Sequence, residues 1–299
     1  MIRLLLALCL ALIARASALR AADVAAGDFK EVAFGFLSDR NLSARGLQAL
    51  GIRQSDWKHA ESDHFVYHYF ASHVAAPCSV EAEYYYSTIT KELGRDTAQW
   101  ERKCHIFIFD RADEWSVFQT QGGLDPWTGG LHAAGELFIF RAGDQKWKGS
   151  TLGHEIAHLV LYRFLGNGVP RWLNEGFAEY AASRGYAAFY RARGFLAHPR
   201  AQAVDPAAFI PLGELTAMLD YPPGVDRVKT YYVESQRLVR FLSAANKPGF
   251  GVFLEAMAQG SRFDTALTRA FGARFPNLEV LESEFKDYAT REHGTSLQD

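Results

Sequence analysis

Residues 153–160 read GHEIAHLV, and three of them are of a type that does chemistry. His154 and His158 are four apart, so on an α-helix both imidazoles leave from one face. Two neutral imidazoles on one face can grip a single cation from the same side. Glu155 projects about 100° round the axis from His154. From there it cannot easily join the histidines as a ligand, but it can reach a water beside the cation. Such a trio is suited to hydrolysis by a metal-activated water. The spacing is that of the H-E-x-x-H motif, whose two histidines bind zinc and whose glutamate acts as a base. Chance also produces such a spacing, so a third ligand is needed.

Residues 169–182, VPRWLNEGFAEYAA, supply it. Glu175 and Glu179 are four apart and share one helical face. One carboxylate can complete a His₂Glu site, and the other can hold the second nitrogen of a ligand histidine and so fix its tautomer. Both glutamates sit among Trp172, Leu173, Phe177 and Tyr180 with few other charges, which argues against two ordinary surface residues.

The elements that must position these groups are legible around them. A helix is expected over Thr151 to Leu165, largely buried by Ile156, Ala157, Leu159, Val160 and Leu161. The chain then turns at Gly166-Asn167-Gly168, and Pro170 suits the first turn of a second helix. Upstream, HFVYHYF (64–70) alternates, with Phe65, Tyr67 and Tyr69 on one packed face. His64 and His68 lie about 13 Å apart along such a strand, too far for one ion, and read as surface or rim residues. Ser79 is an expected N-cap, with Glu81 and Glu83 in the first turn of a helix ending at Leu93-Gly94. CHIFIFD (104–110) reads as a buried strand, ADEWSVFQ as a short helix, GGLDPWTGG (122–130) as a loop and GELFIFR (135–141) as a third strand. A further helix is expected from Leu42 to Leu50. After Gly149-Ser150 the pattern is mostly helical. Strands followed by helices indicate an α+β fold with a small mixed sheet, not a doubly wound one.

Composition sets the setting. The chain has 299 residues, 48% of them hydrophobic, enough for a packed core and for no more than one or two domains. Residues 1–18 have the form of a secretory signal: Arg3, an apolar run from Leu4 to Ile13, and the Ala16-Ser17-Ala18 cleavage pattern. The expected location is therefore periplasmic or extracellular. The net charge of −2 becomes slightly more negative once Arg3 and Arg15 leave. That offers no footprint for nucleic acid, and no second apolar stretch is long enough for a stable membrane span. Cys78 and Cys104 are the two cysteines left in an oxidising compartment, and a disulfide between them is expected.

HEIAH followed by RWLNEGFAEY resembles the gluzincins, zinc peptidases whose third ligand is a glutamate on a following helix. The wording is closest to bacterial peptidase MA-like domain proteins. The resemblance implies a zincin-like fold over residues 56–299, with the sheet and active-site helix reaching to about 166 and a helical lobe after it. Residues 19–55 form an N-terminal segment of unknown role. It implies one Zn²⁺ per chain, held by His154, His158 and Glu175, with Glu155 as general base and Glu179 as the partner of a ligand histidine. YYVESQRLVRFL (231–242) resembles the segment that carries a transition-state tyrosine in aminopeptidase N-like enzymes. The pattern selects Tyr232, with Tyr231 as the alternative. GGLHAAGEL departs from the Gly-x-Met-Glu-Asn motif that grips a substrate amine in those enzymes, leaving Glu136 as a stand-in. The strand around Gly135 to Arg141 is expected to be an edge that aligns an extended peptide. The expected substrate is a peptide or protein. The alternatives are a non-catalytic scaffold module with a zinc site and a zinc hydrolase of a non-peptide bond.

Overall fold

A computed structural model describes residues 29–96, 102–142, 151–198 and 202–291. The expected signal segment lies outside the described residues. Among them, six strands form one sheet: β1 (Lys30–Glu31), β2 (Lys58–Glu61), β3 (Phe65–Tyr69), β4 (Cys104–Phe109), β5 (Gly130–Ala133) and β6 (Glu136–Phe140). Their order across the sheet is β1-β2-β3-β4-β6-β5. Helices α1 (Ala44–Gly51), α2 (Ser72–Glu92) and α3 (Ala112–Gly122) interleave with the strands. From Thr151 onward the described chain is helical: α4 (Thr151–Leu165), α5 (Arg171–Ala192), α6 (Leu212–Leu215), α7 (Val225–Ala245), α8 (Lys247–Ala258), α9 (Phe263–Phe271) and α10 (Leu278–Thr290). The β3–β4 and β4–β6 pairs are parallel and the others antiparallel. The fold is therefore α+β with a mixed sheet. No helix among the described residues is long and apolar enough to cross a membrane.

Side-chain alternation assigns the two faces of the sheet. Phe65, Tyr67 and Tyr69 of β3, Ile106 and Ile108 of β4, and Leu137 and Ile139 of β6 share one core with the apolar residues of α2, α4 and α5. Phe107, Phe109 and Phe138 point the other way, packing with Trp57, Trp115 and Phe118. The sheet is thus buried on both sides, and all five residues of β3 are buried. His68 is fully buried, so the expectation of a surface or rim position fails for it. Phe107 and His105 of β4 stack on its ring, and Phe34, ahead of α1, adds a cover that carries no periodic signal, packing on His59 and His68. His64 is half-buried against Glu83, 2.6 Å away.

Three other expectations need correction. Helix α2 begins at Ser72, not after Ser79, with Pro77 inside it. Ser79 lies in mid-helix and donates its hydroxyl to the Ala76 carbonyl. Strand β6, covering most of Gly135 to Arg141, is interior, and the edge is β5, of which only Gly130 fell in the stretch read as a loop. Ala134 and Gly135 both take positive φ, of 53° and 78°. That is the two-residue reversal favoured between twisted strands, and it folds β5 back outside β6. Finally, Cys78 and Cys104 are free buried thiols, not a disulfide. Burial pushes the Cys78 thiol up to about 12, which leaves it unreactive as a nucleophile at neutral pH.

Residues from the N-terminal segment belong to this same body. Strand β1 pairs with β2, and Ser43 caps α1 by accepting the Gly46 N–H. The Glu136 carboxylate accepts both the Ser43 N–H and its hydroxyl, at 2.7 and 2.5 Å. Glu136 is therefore committed to the start of α1, where a carboxylate complements the helix dipole, and not offered to a substrate amine.

Candidate metal centre

Helices α4 and α5 form where the apolar pattern places them. Leu152, Ile156, Ala157, Leu159, Val160 and Leu161 bury α4 against the sheet and its neighbours. Gly166 takes a φ of +72° beyond its last turn, and a short 3₁₀ turn, Gly166–Gly168, redirects the chain. Pro170 stands at the N-cap of α5, one position ahead of its expected place. Helix α5 then lies close to α7, and Gly176 permits the approach. A Cβ there would sit 2.5 Å from the Ser235 carbonyl oxygen.

This packing brings His154, His158 and Glu175 together. Each offers one ligand atom within 4.8 Å of the others. The two Nε2 atoms face each other at 2.9 Å. Glu175 Oε2 lies 3.3 Å from His154 Nε2 and 3.5 Å from His158 Nε2. The far sides of the rings face oxygen acceptors. His158 Nδ1 is 2.6 Å from Asn174 Oδ1, and His154 Nδ1 is 3.1 Å from Glu179 Oε1. Both of these oxygens only accept hydrogen bonds. With Nδ1–H donated to Asn174, a neutral His158 keeps its Nε2 lone pair pointing inward, whereas His154 Nδ1 faces Glu179 at ion-pair distance without an aligned hydrogen bond. Two imidazole nitrogens at 2.9 Å and a carboxylate oxygen with no hydrogen-bond partner of its own crowd one point. Against the pull of burial, the surrounding carboxylates raise the affinity of both imidazoles for positive charge, whether a proton or a metal cation. Two imidazole nitrogens and one carboxylate oxygen are a donor set that fits zinc.

The charges in the site follow from the same crowding. Burial alone would raise the Glu175 carboxyl, but His158 and His154 around it hold it well below the usual carboxylate range. Burial pushes the Glu155 carboxyl up, only partly offset by the two histidines. Glu155 is buried beside the edge strand. Gly130 makes that position possible. A Cβ on it would stand 2.7 Å from Glu155 Oε1 and 2.9 Å from Thr151 Cγ2.

Of the two candidate tyrosines, Tyr232 is the one joined to the site. Its ring lies 6.5 Å from that of His154, and its hydroxyl donates to the Tyr221 hydroxyl at 2.9 Å. Tyr231 is fully buried and its hydroxyl has no hydrogen-bond partner. Three residues at the site were not singled out from sequence. Asn174 is adjacent to Glu175 and could have been found as a possible tether. Tyr221, whose hydroxyl donates to Glu175 Oε1 at 2.7 Å, comes from the YPPG loop and gave no signal. Gly130 stood in a stretch read as loop.

Against known proteins, no family model matches the chain, and no curated protein matches it either.

Proposed function

We propose that the chain is an exported zinc metallopeptidase of the gluzincin type, with a zincin-like fold in which the edge strand β5 borders the catalytic cleft. The observation that carries this reading is the convergence of His154 Nε2, His158 Nε2 and Glu175 Oε2 with a buried carboxylate, Glu155, beside them. His154, His158 and Glu175 would hold one Zn²⁺, which when bound supplies the positive charge that acidifies an attacking water and polarises a carbonyl. Among the described residues the group offers three donors, the number that leaves a catalytic site open. A scaffold role would call for a fourth.

Glu155 accepts the proton of the attacking water and passes it to the leaving amine. Its burial raises its affinity for that proton, which suits a base that must also act as an acid. Tyr232 can turn its O–H from Tyr221 toward the carbonyl oxygen as negative charge develops there. The outer edge of β5 is where a peptide in extended form can pair. In the antiparallel ladder Phe140 donates to Gly129, so the backbone groups of Gly130 and His132 face away from β6. The outward backbone groups of Gly130 and His132 are thereby left for substrate.

The test is cleavage of a peptide library by the mature chain, with and without chelator, beside Glu155→Gln. Wild type should cut and lose activity to chelator. The variant should keep about one zinc per chain and lose roughly 10²–10⁴-fold in rate. A variant as active as wild type would overturn the base assignment. A zinc-loaded wild type that cuts no peptide would overturn the peptidase reading.

A further inference from the structure

The two oxygens of Glu175 have different surroundings. Oε2 faces both histidine Nε2 atoms. Oε1 is turned away and accepts the Tyr221 hydroxyl at 2.7 Å. Tyr221 is 46 residues from Glu175 in the chain and sits in the loop that leads into α7. It is held there from two sides. Tyr232 donates its hydroxyl to the Tyr221 oxygen, with the two rings stacked 5.7 Å apart. The Arg171 guanidinium lies over the Tyr221 ring, 4.7 Å from its centroid. Arg171 also reaches the Leu219 carbonyl at 3.4 Å and Asp220 at 3.7 Å, so it secures the loop as well as the ring. Since Arg171 is one helical turn before Glu175 on the same helix, α5 holds the tyrosine that in turn holds its own glutamate.

We propose that Tyr221 is a positioning residue for the metal centre. By occupying Oε1 it fixes the rotation of the Glu175 carboxylate and presents Oε2 alone toward the histidines. The loop at 219–224 and α7 thereby act on metal affinity without supplying a ligand. Tyr232, one hydroxyl further out, orients Tyr221 but does not touch Glu175. The inference rests on the reading of His154, His158 and Glu175 as zinc ligands.

The experiment is a zinc titration of the full mature chain against a chromophoric chelator for wild type, Tyr221→Phe, Tyr232→Phe and His154→Ala. It is accompanied by Co²⁺ absorption spectra and by the melting temperature of each metal-free protein. Removing an outer partner of a metal ligand weakens binding by roughly 10–100-fold. That loss is expected for Tyr221→Phe, together with a shifted Co²⁺ spectrum and an unchanged metal-free melting temperature. Tyr232→Phe should stay within about threefold of wild type, because the Tyr221–Glu175 bond survives it. Zinc affinity in Tyr221→Phe equal to wild type would overturn the role given to Tyr221 while leaving the ligand set intact. Equal loss in both tyrosine variants would overturn it as well, in favour of a general effect of the tyrosine pair. Wild type that binds zinc no better than His154→Ala would overturn the ligand set, and the inference with it.

Discussion

Among the described residues, histidine nitrogens approach one another closely in two regions, and one of the two brings a carboxylate to them in a group that could hold a metal ion. On α4, His154 and His158 meet Nε2 to Nε2 at 2.9 Å. On the opposite face of the sheet, His59 Nδ1 meets His68 Nδ1 at 2.8 Å, and His68 Nε2 meets His105 Nδ1 at 2.9 Å. His105 Nε2 then lies 3.8 Å from Asp39, which Arg102 binds in turn. The second group is a line. Each imidazole can donate to the next or accept from the one before, so all three can be neutral, with His105 Nε2 at the Asp39 end left without a hydrogen bond. The first group is a convergence, because both outer nitrogens face oxygen acceptors and both inner nitrogens meet one carboxylate. The carboxylate that joins both inner nitrogens therefore separates the two regions better than the distance between rings does.

The largest difference between the regions should appear on truncation. His154→Ala is expected to reduce bound zinc from about one per chain to none after dialysis, measured by elemental analysis, with little loss of metal-free stability. His68→Phe should keep its zinc and lose stability instead, by about 1–3 kcal/mol for the buried partners it strands, measured by urea unfolding. Zinc loss in His68→Phe would break the contrast.

Gly130→Ala probes the convergent site without touching a ligand. The added methyl displaces the Glu155 carboxylate, so the peptide cleavage rate should fall by up to about 10²-fold with zinc content unchanged. A variant cleaving at the wild-type rate would show that the position of Glu155 is not set by β5.

The linear group should reveal itself through pH. Burial holds His68 well below its ordinary value of 6.5 and brings His105 down to about 4, against the pull of Asp39. The folded state therefore keeps these rings neutral where the unfolded chain takes up protons. Their contribution to stability is complete above about pH 6.5 and is lost as the pH falls from there toward about 4. The slope is up to about 1.4 kcal/mol per pH unit for each ring. Urea unfolding between pH 7.5 and 4.5 should show it, and His68→Phe should flatten it. An unchanged slope in that variant would remove His68 from the account.

Much of the convergent site is legible in the chain because its parts are local. The four-residue spacings of His154 with His158 and of Glu175 with Glu179 need only helices, and the apolar residues around them predict both helices. The linear group is illegible for the opposite reason. His68 is buried by its stacked neighbours Phe107 and His105 on β4 and by Phe34. Those contacts are set by strand pairing and by a segment without periodicity, so the alternation alone reads as a strand with one open face. Strand β5 is four half-buried residues with no alternation, and its identity depends on the reversal at Ala134-Gly135. Tyr221 reaches Glu175 only through tertiary packing. The helix start at Ser79 fails because α2 already runs through Pro77.

The smallest expected effect lies at that reversal. Ala134 holds a φ of 53°, which glycine adopts without strain. Ala134→Gly should therefore raise the unfolding free energy by about 0.5–1 kcal/mol and leave both histidine groups as they are. A loss of stability would show that the turn does not carry the strain assigned to it.

Anomalous X-ray scattering at the zinc edge from crystals of the zinc-loaded chain tests the central claim most directly. The account predicts a single peak roughly 2.0–2.2 Å from His154 Nε2, His158 Nε2 and Glu175 Oε2. A peak between His59 and His68, or none beside Glu175, would contradict it.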